Sequence, residues 1–282
     1  MTRFSADWLR LREPYDARAR NPAVLDALAA AVADRASIAI VDLASGTGAT
    51  WRAIASRLAP PQRWRLVDND RRHLARAAST GAEGVATVAL DIARDLEAAL
   101  DGPVDLVTNS ALLDLVSADW LERMATAIAA RGLLAYASLV YDGRTTFEPA
   151  DPVDAEMAEA FNRHQRRDKG FGPALGPTAA GAAIARFEAL NYAVVHGTSD
   201  WRLGPWDREI QADLVAGWAA AAREDGGLSL AEIGGWLTRR SDRIASCRSS
   251  ICVGHVDVLA RPRRETSAEP RARRPSRRRP RA

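Results

Sequence analysis

Ile38–Gly48 reads IAIVDLASGTG, an apolar, β-branched run that ends in an acidic residue and a loop of small residues. Trp51, Ile54 and Leu58 follow at helical spacing, which predicts a helix directly after the loop. A strand that leads through glycines into a helix is how α/β proteins bring backbone N–H groups close to a cofactor. The stretch therefore predicts an α/β fold with a cofactor site at its glycine loop.

Strand and helix patterns alternate along most of the chain on either side of this stretch. Apolar runs predict strands near 37–44, 63–68, 85–91, 104–109, 133–141, 192–200 and 250–259. Residues 1–36 have a helical pattern, and Asn21-Pro22 predicts a helix start within them. Strands and helices in alternation predict a parallel sheet with helices on both faces.

Composition and charge separate a folded body from a basic tail. Hydrophobic residues make up 47% of the 282 residues, enough for a full core. Residues 261–282 hold ten arginines and two glutamates, so the chain's net charge of +3 hides an acidic body. A tail of arginine and proline cannot bury a core and is predicted to be disordered. An acidic body is unfavourable for gripping phosphates, so we expect no nucleic-acid partner.

The remaining bulk features predict a cytoplasmic protein without a membrane segment or a metal. No apolar run reaches the roughly 18 residues of a membrane span, and the N-terminus lacks the apolar core of a signal peptide. Cys247 and Cys252 are too few for a disulfide framework or a metal site.

Two classes of cofactor use a strand, a glycine loop and a helix. Dinucleotide-binding proteins carry G-x-G-x-x-G, in which the third glycine lets the helix pack closely on the sheet. Here Gly46 and Gly48 are followed by Trp51 where that third glycine belongs. S-adenosylmethionine (SAM) has no pyrophosphate and does not require it, so the loop favours SAM.

The chain resembles the class I SAM-dependent methyltransferases in four motifs that occur in order. Their first motif, D-x-G-x-G-x-G, corresponds to Asp42–Gly48, with Ala44 in place of the first glycine. The acidic residues that end the family's second and third strands correspond to Asp68 and Asp91. Asp105–Ala111 is similar to the segment that floors the family's methyl-transfer site. The resemblance implies a three-layer α/β/α fold with a seven-stranded, mostly parallel sheet whose last strand is antiparallel.

The same resemblance implies a domain organisation and a set of cofactor-binding residues. It implies a helical cap over 1–36, a methyltransferase domain over 37–260 with a lid or substrate insertion over 142–190, and the tail. The strand-two aspartate is expected to bind the ribose, the strand-three aspartate the adenine amine, and an N-terminal arginine the methionine carboxylate. The predicted cofactor-binding residues are Asp42, Ala44, Ser45, Gly46, Thr47, Gly48, Asp68, Asn69, Asp91, Ile92, Asn109, Ser110 and Arg20.

Methyl transfer needs an aligned nucleophile and, for a hydroxyl or a protonated amine, a proton acceptor. Asp114 follows the fourth strand, and His164 lies at helical spacing from Met157 and Phe161, so both are candidate catalytic bases. A capping aspartate and a core histidine are the structural alternatives. Cations near the glycine- and proline-rich loop favour an acceptor with a carboxylate or phosphate. The predicted substrate-binding residues are Tyr15, Gln165, Arg166, Arg167 and Lys169.

The acceptor is predicted to be a small molecule. Asn109 is not followed by the Pro-Pro-aromatic motif of methyltransferases that act on adenine or glutamine amino groups. Two alternatives stay open: a SAM-binding subunit or sensor without catalysis, and an RNA methyltransferase that uses the arginine-rich tail.

Tyr15 and Arg20 are expected to precede the first helix.

Overall fold

A central sheet separates two layers of helices in the computed structural model, which describes residues 4–263. The strands are β1 (Ile38–Leu43), β2 (Gln62–Asp68), β3 (Val85–Ala89), β4 (Leu106–Ser110), β5 (Leu134–Glu148), β6 (Tyr192–Thr198), β7 (Trp201–Leu203) and β8 (Ser250–Pro262). Their order is β3-β2-β1-β4-β5-β8-β6, with β7 paired to β8. Strands β1 to β5 are parallel, and β8 runs antiparallel between β5 and β6. The predicted fold class is confirmed, with short β7 as an eighth strand.

Ten α-helices surround this sheet in the described part of the chain. They are α1 (Ala6–Ala19), α2 (Pro22–Val32), α3 (Ala49–Ile54), α4 (Arg71–Ala78), α5 (Leu96–Ala99), α6 (Ala118–Ala130), α7 (Asp154–Gln165), α8 (Ala179–Ala189), α9 (Arg208–Asp225) and α10 (Leu230–Ala245). Short 3-10 helices follow α3 and precede α8.

Strand β1 is buried on both faces because its side chains alternate between two hydrophobic clusters. Ile38 and Ile40 pack with α2, α3 and α4, whereas Val41 and Leu43 pack with α5, α6 and α8. This alternation produces the predicted helix layers on both faces.

The N-terminal segment forms two helices, α1 and α2, and the predicted helix start at Asn21-Pro22 begins the second. The Asn21 side chain accepts a hydrogen bond from Val24 N at 3.1 Å, as its predicted capping role requires. Tyr15 lies inside α1 and Arg20 at its C-terminal cap, so the expectation that they precede the first helix was wrong. Ser5 caps α1 by accepting from Trp8 N at 3.0 Å.

Strand β5 runs seven residues beyond its predicted end at 141. Its extension pairs with β8, and Glu148 lies opposite Ser250. The extension is polar in sequence, and pairing with a distant strand holds it as a strand. Strand β8 reaches Pro262, which pairs with Tyr192. The predicted boundary of the tail at 261 is therefore too early, because residues 261 and 262 belong to β8. The part of the tail from 264 onward lies outside the described residues.

A third hydrophobic cluster packs α7, α9 and α10 against the β5 extension. Phe147 contacts Trp218 and Trp236 edge-on, with ring centroids 5.0 and 5.8 Å apart. Phe161 also packs perpendicular to Trp218, with ring centroids 5.6 Å apart. This helical unit forms a wall beside the carboxyl ends of the parallel strands. None of the helices in residues 4–263 is long and apolar enough to span a membrane.

Candidate functional site

The loop after β1 has a backbone that glycine favours. Ala44, Gly46 and Gly48 have φ values of 52°, 54° and 84°. A Cβ on Gly48 would lie 3.2 Å from Leu66 Cδ1, so packing against β2 also favours glycine there. Ala44 takes the same left-handed conformation at a cost of about 1–2 kcal/mol. The loop therefore keeps its shape despite the missing first glycine of the motif.

Asp68, at the end of β2, holds this loop in place. Its Oδ2 accepts a hydrogen bond from Gly46 N at 2.8 Å, and its Oδ1 accepts one from Asp70 N at 2.8 Å. A carboxylate offers about four lone-pair sites, so each oxygen can accept a further hydrogen bond from a ligand hydroxyl.

A cavity of about 140 Å³ lies between the loop and α1, and we call it the loop cavity. Seven of the predicted cofactor-binding residues line it: Ala44, Ser45, Gly46, Thr47, Asp68, Asn69 and Ser110. Asp42, Gly48 and Asn109 belong to the same strand ends but do not line it. Helix α1 covers the cavity with Phe4 at its N-terminal side and with Leu9, Arg12 and Asp16.

Several buried polar atoms beneath the loop lack a hydrogen-bond partner among the described residues. They are Asp42 Oδ2, Ser45 Oγ and Asn109 Oδ1. Asp42 is 1% exposed, and its other oxygen accepts from Thr108 Oγ1 at 2.7 Å. Burial raises the pKa of Asp42 to about 7, although the Thr108 hydrogen bond and Arg20 oppose the shift. Buried orphan atoms of this kind indicate a place for a polar ligand or water.

Asp42→Asn should raise stability at high pH. The folded protein holds a proton on Asp42 up to about pH 7, whereas an unfolded aspartate releases it near pH 4. Stability contributed by this group is therefore present at low pH and lost as the pH rises to about 7. We expect the gain from Asp42→Asn to be about 2 kcal/mol larger at about pH 8 than at about pH 5. Urea unfolding of both proteins measures this; a gain that shrinks at high pH would contradict it.

Asp91, Ile92 and Arg20 are further predicted cofactor-binding residues that do not line the loop cavity. Asp91 Oδ1 accepts from Ala93 N at 3.1 Å, and the Ile92 carbonyl accepts from Trp120 Nε1 at 2.9 Å. Arg20 is buried and donates to Tyr136 Oη at 3.3 Å and to Ser138 Oγ. It lines a separate polar cavity. Their roles in cofactor binding stay predictions.

A larger cavity of about 500 Å³ adjoins the loop cavity, and we call it the aromatic cavity. Aromatic rings from α1, β5, β7, α7 and α9 line it: Trp8, Tyr141, Phe161, Trp201 and Trp218. Both cavities share Phe4, Arg12, Ala111, Leu115 and Lys169, so they meet at these residues. Two adjoining cavities at the carboxyl ends of parallel strands are suited to hold two reactants side by side.

Both predicted catalytic bases line the aromatic cavity. Asp114 is 6% exposed, and its Oδ1 has no partner among the described residues. Burial raises the pKa of Asp114 to about 6, while the charges of Arg12 and Lys169 partly oppose the shift. His164 Nε2 lies 2.9 Å from Glu224 Oε2, and Lys169 Nζ lies 3.4 Å from His164 Nδ1. Asp114 is thus the buried acceptor, and His164 belongs to a hydrogen-bond network with Glu224 and Lys169.

The predicted substrate-binding residues divide between the cavity and its surroundings. Gln165 and Lys169 line the aromatic cavity. Arg166 and Arg167 are exposed and do not line it, and Arg167 donates to the Glu224 carbonyl at 2.7 Å. Tyr15 Oη donates to Asp207 Oδ1 at 3.0 Å and lines the Arg20 cavity instead.

Arg12, Asp16 and His255 are site residues that sequence analysis missed. Arg12 makes a bidentate pair with Asp16 at 2.9 and 3.2 Å and lies 5.0 Å from the Trp201 ring. Their i,i+4 spacing was the only signal in the sequence. His255 is buried beside Trp201, and burial lowers its pKa to about 3, so the imidazole is neutral. Its Nδ1 has no partner among the described residues.

Comparisons with known proteins test the architecture. Neither a protein-family profile nor a curated protein sequence matches the chain. A cyclopropane-fatty-acyl-phospholipid synthase-like protein from Lactobacillus casei matches with TM-score 0.55 and 13% identity, covering 92% of this chain and 94% of that one. The YcgJ protein from Bacillus subtilis matches with TM-score 0.50 and 15% identity, covering 86% of this chain and all of that one. The chain has the class I methyltransferase fold.

A further solved structure matches the chain with a lower TM-score. A SAM-dependent methyltransferase from Thiobacillus denitrificans, in complex with S-adenosyl-L-homocysteine, matches with TM-score 0.45 and 19% identity, covering 92% of this chain and 99% of that one. In open α/β sheets, ligands bind outside the carboxyl ends of the strands, where both cavities of this methyltransferase fold lie.

Proposed function

We propose that the protein transfers a methyl group from SAM to a small-molecule acceptor. The observation that carries the proposal is the junction of the loop cavity with the aromatic cavity at Arg12, Ala111, Leu115 and Lys169. A donor held at the loop would face an acceptor held in the larger cavity. A cytoplasmic setting, predicted from the sequence, is part of this proposal.

The residues around the loop fit SAM as the donor. Asp68 keeps lone pairs for ribose hydroxyls, and Ser45, which lines the loop cavity, has a buried Oγ without a partner among the described residues. Gly46 lines the cavity and, as glycine, has no side chain that would fill it. Bound SAM would supply an electrophilic methyl group on a sulfonium centre.

The chain's own residues would orient the acceptor and remove its proton. Asp114 is the candidate general base, because its Oδ1 is buried, unpartnered among the described residues and part of the cavity wall. A carboxylate with a pKa near 6 is ionised at neutral pH, yet it is a stronger base than an ordinary aspartate. The aromatic walls and the covering helix α1 would limit the access of water to the reacting groups.

Titration calorimetry with SAM, S-adenosylhomocysteine, NAD and NADP tests the donor. We expect both sulfur compounds to bind and both dinucleotides to fail. Binding of NAD without SAM would overturn the proposal. A screen of metabolite extracts with methyl-labelled SAM then identifies the acceptor. Binding of SAM with no labelled product would favour a SAM-binding subunit or sensor instead.

Asp114→Asn should separate donor binding from methyl transfer. We expect the affinity for S-adenosylhomocysteine to stay within about threefold, since Asp114 does not line the loop cavity. Turnover with the acceptor found in the screen should fall by about 100-fold or more. Wild-type turnover should fall as the pH drops below about 6, because protonated Asp114 cannot accept a proton. Full turnover in Asp114→Asn would remove Asp114 from the mechanism.

A further inference from the structure

We infer that the aromatic cavity takes an amine with an apolar, aromatic-sized body as the methyl acceptor. The inference rests on the proposed function and deepens it. It combines three features of the cavity: its ring-lined walls, the balance of its charges and one buried carboxylate oxygen without a partner in residues 4–263.

The walls of the cavity suit a flat apolar molecule with a positive charge. Tyr141 and Phe161 have ring centroids 5.6 Å apart, and Trp8 and Trp201 have centroids 6.2 Å apart. All four line the cavity together with Trp218. Aromatic faces carry partial negative charge and attract cations, whereas they disfavour anions.

The charges around the cavity also favour a cation over an anion. Its lining includes three carboxylates, of which Asp114 is buried and Asp213 and Glu224 lie at the rim. Arg12 and Lys169 are the arginine and lysine among the described lining residues, and the bidentate Asp16 contact neutralises Arg12. Arg167 pairs with Glu224 at 3.7 Å in the same way, which leaves the carboxylates of Asp114 and Asp213 against Lys169. An anionic acceptor would therefore add to an excess of negative charge, whereas an ammonium would reduce it.

The unpartnered oxygen of Asp114 gives the amine a position and a proton acceptor. An ammonium N–H that donates to Asp114 Oδ1 satisfies this oxygen and pairs its charge. One proton then moves from nitrogen to the carboxylate, so Asp114 becomes a neutral carboxylic acid and the nitrogen keeps its electron pair. That pair would form the new N–C bond to the methyl group of SAM as the S–C bond breaks, and S-adenosylhomocysteine would be the leaving group. The neutral His255, whose Nδ1 also lacks a described partner, can bind a second polar group on the acceptor.

The amine inferred here as the acceptor differs from the anionic acceptor that the sequence predicted. That prediction rested on a cluster of cations that includes Arg166 and Arg167. Both are exposed and lie outside the cavity wall. Lys169 remains in the wall, but burial lowers its pKa, and Glu224 is one of the charges that act on it.

Three probes with the same aromatic body test the inference: 2-phenylethylamine, 2-phenylethanol and 3-phenylpropanoate. Fluorescence of the lining tryptophans reports binding to the wild-type protein near neutral pH, with and without S-adenosylhomocysteine. We expect the amine to bind about tenfold tighter than the alcohol, and the carboxylate to bind weakest. In Asp114→Asn the advantage of the amine over the alcohol should fall below about threefold. Asp119→Asn, an exposed aspartate in α6, is the matched control and should keep the advantage.

A second measurement does not depend on the variant's folding. In the wild-type protein, amine affinity should fall as the pH drops below about 6, while alcohol affinity stays constant. Three results would each overturn the inference: the carboxylate binds as tightly as the amine, the amine does not bind, or the amine affinity does not depend on pH. These binding measurements do not depend on methyl transfer. Failure of SAM to bind in calorimetry would therefore count against the proposed function alone.

Discussion

Gly46→Val should lower the affinity for S-adenosylhomocysteine by about 100-fold or more. Gly46 has a φ of 54°, which a β-branched residue adopts only with strain. The new Cβ would also lie 3.3 Å from Leu9 Cδ1 in the covering helix. A backbone shift that relieves the strain or the Leu9 contact moves the Gly46 N–H away from Asp68 Oδ2 and changes the wall of the loop cavity. Titration calorimetry measures the affinity, and circular dichroism checks that the fold survives.

Gly81→Val is the matched control for this loop substitution. Gly81 also has a positive φ, of 61°, but a Cβ there would meet no atom within 4 Å. It lies after α4 and does not line either cavity. We expect a similar cost of about 1–2 kcal/mol in stability with an unchanged affinity. Equal loss of affinity in both variants, or none in Gly46→Val, would remove the loop from the donor site.

Arg240→Ala should destabilise the protein by about 3–5 kcal/mol. Arg240 is 0% exposed, pairs with Asp154 and donates to the Pro149 carbonyl at 2.9 Å. Its guanidinium also lies 4.5 Å from the centre of the Phe147 ring. Truncation leaves the Asp154 carboxylate without its cation and opens a cavity between α10 and the β5 extension. Urea unfolding gives the change in the free energy of unfolding.

Two further variants distinguish the effect of losing the Arg240–Asp154 ion pair from a general disturbance of the helices. Arg163→Ala removes an arginine that is 50% exposed and pairs with Asp225 at 2.8 Å, so we expect a cost below about 1 kcal/mol. Replacement of both partners, Arg240→Met with Asp154→Leu, should recover part of the loss because neither charge of the pair stays buried. The recovery is incomplete because Trp236 Nε1 and Asp151 N lose the carboxylate that accepts their hydrogen bonds. If Arg240→Ala cost no more than Arg163→Ala, the buried pair would not hold the helical unit in place.

The sequence predicted those elements whose structure is encoded locally. Ile38–Leu43 is a continuous apolar, β-branched run, and such a run indicates a strand buried on both faces. Asn21 and Pro22 mark a helix start because their side chains act on the adjacent backbone. The β5 extension has no such pattern. Its strand structure comes from pairing with β8, about 100 residues later in the chain.

The loop cavity was predictable in part, and the aromatic cavity was not. Glycines at 46 and 48 encode the backbone conformation that shapes the loop, so local sequence sufficed. Asp68 and Asp91 look alike in sequence, yet only Asp68 lines the loop cavity. Tertiary packing decides between them. The aromatic cavity joins α1, β5, α7, α9 and β8, and no local pattern relates side chains so far apart in the chain.

Lys169 has a consequence that follows from its place at the junction of the two cavities. It is the one lysine in the whole sequence. An amine-directed reagent therefore meets a single side-chain target, beside the site where donor and acceptor would face each other. A fluorescent group attached to Lys169 would therefore report whether the loop cavity or the aromatic cavity is occupied.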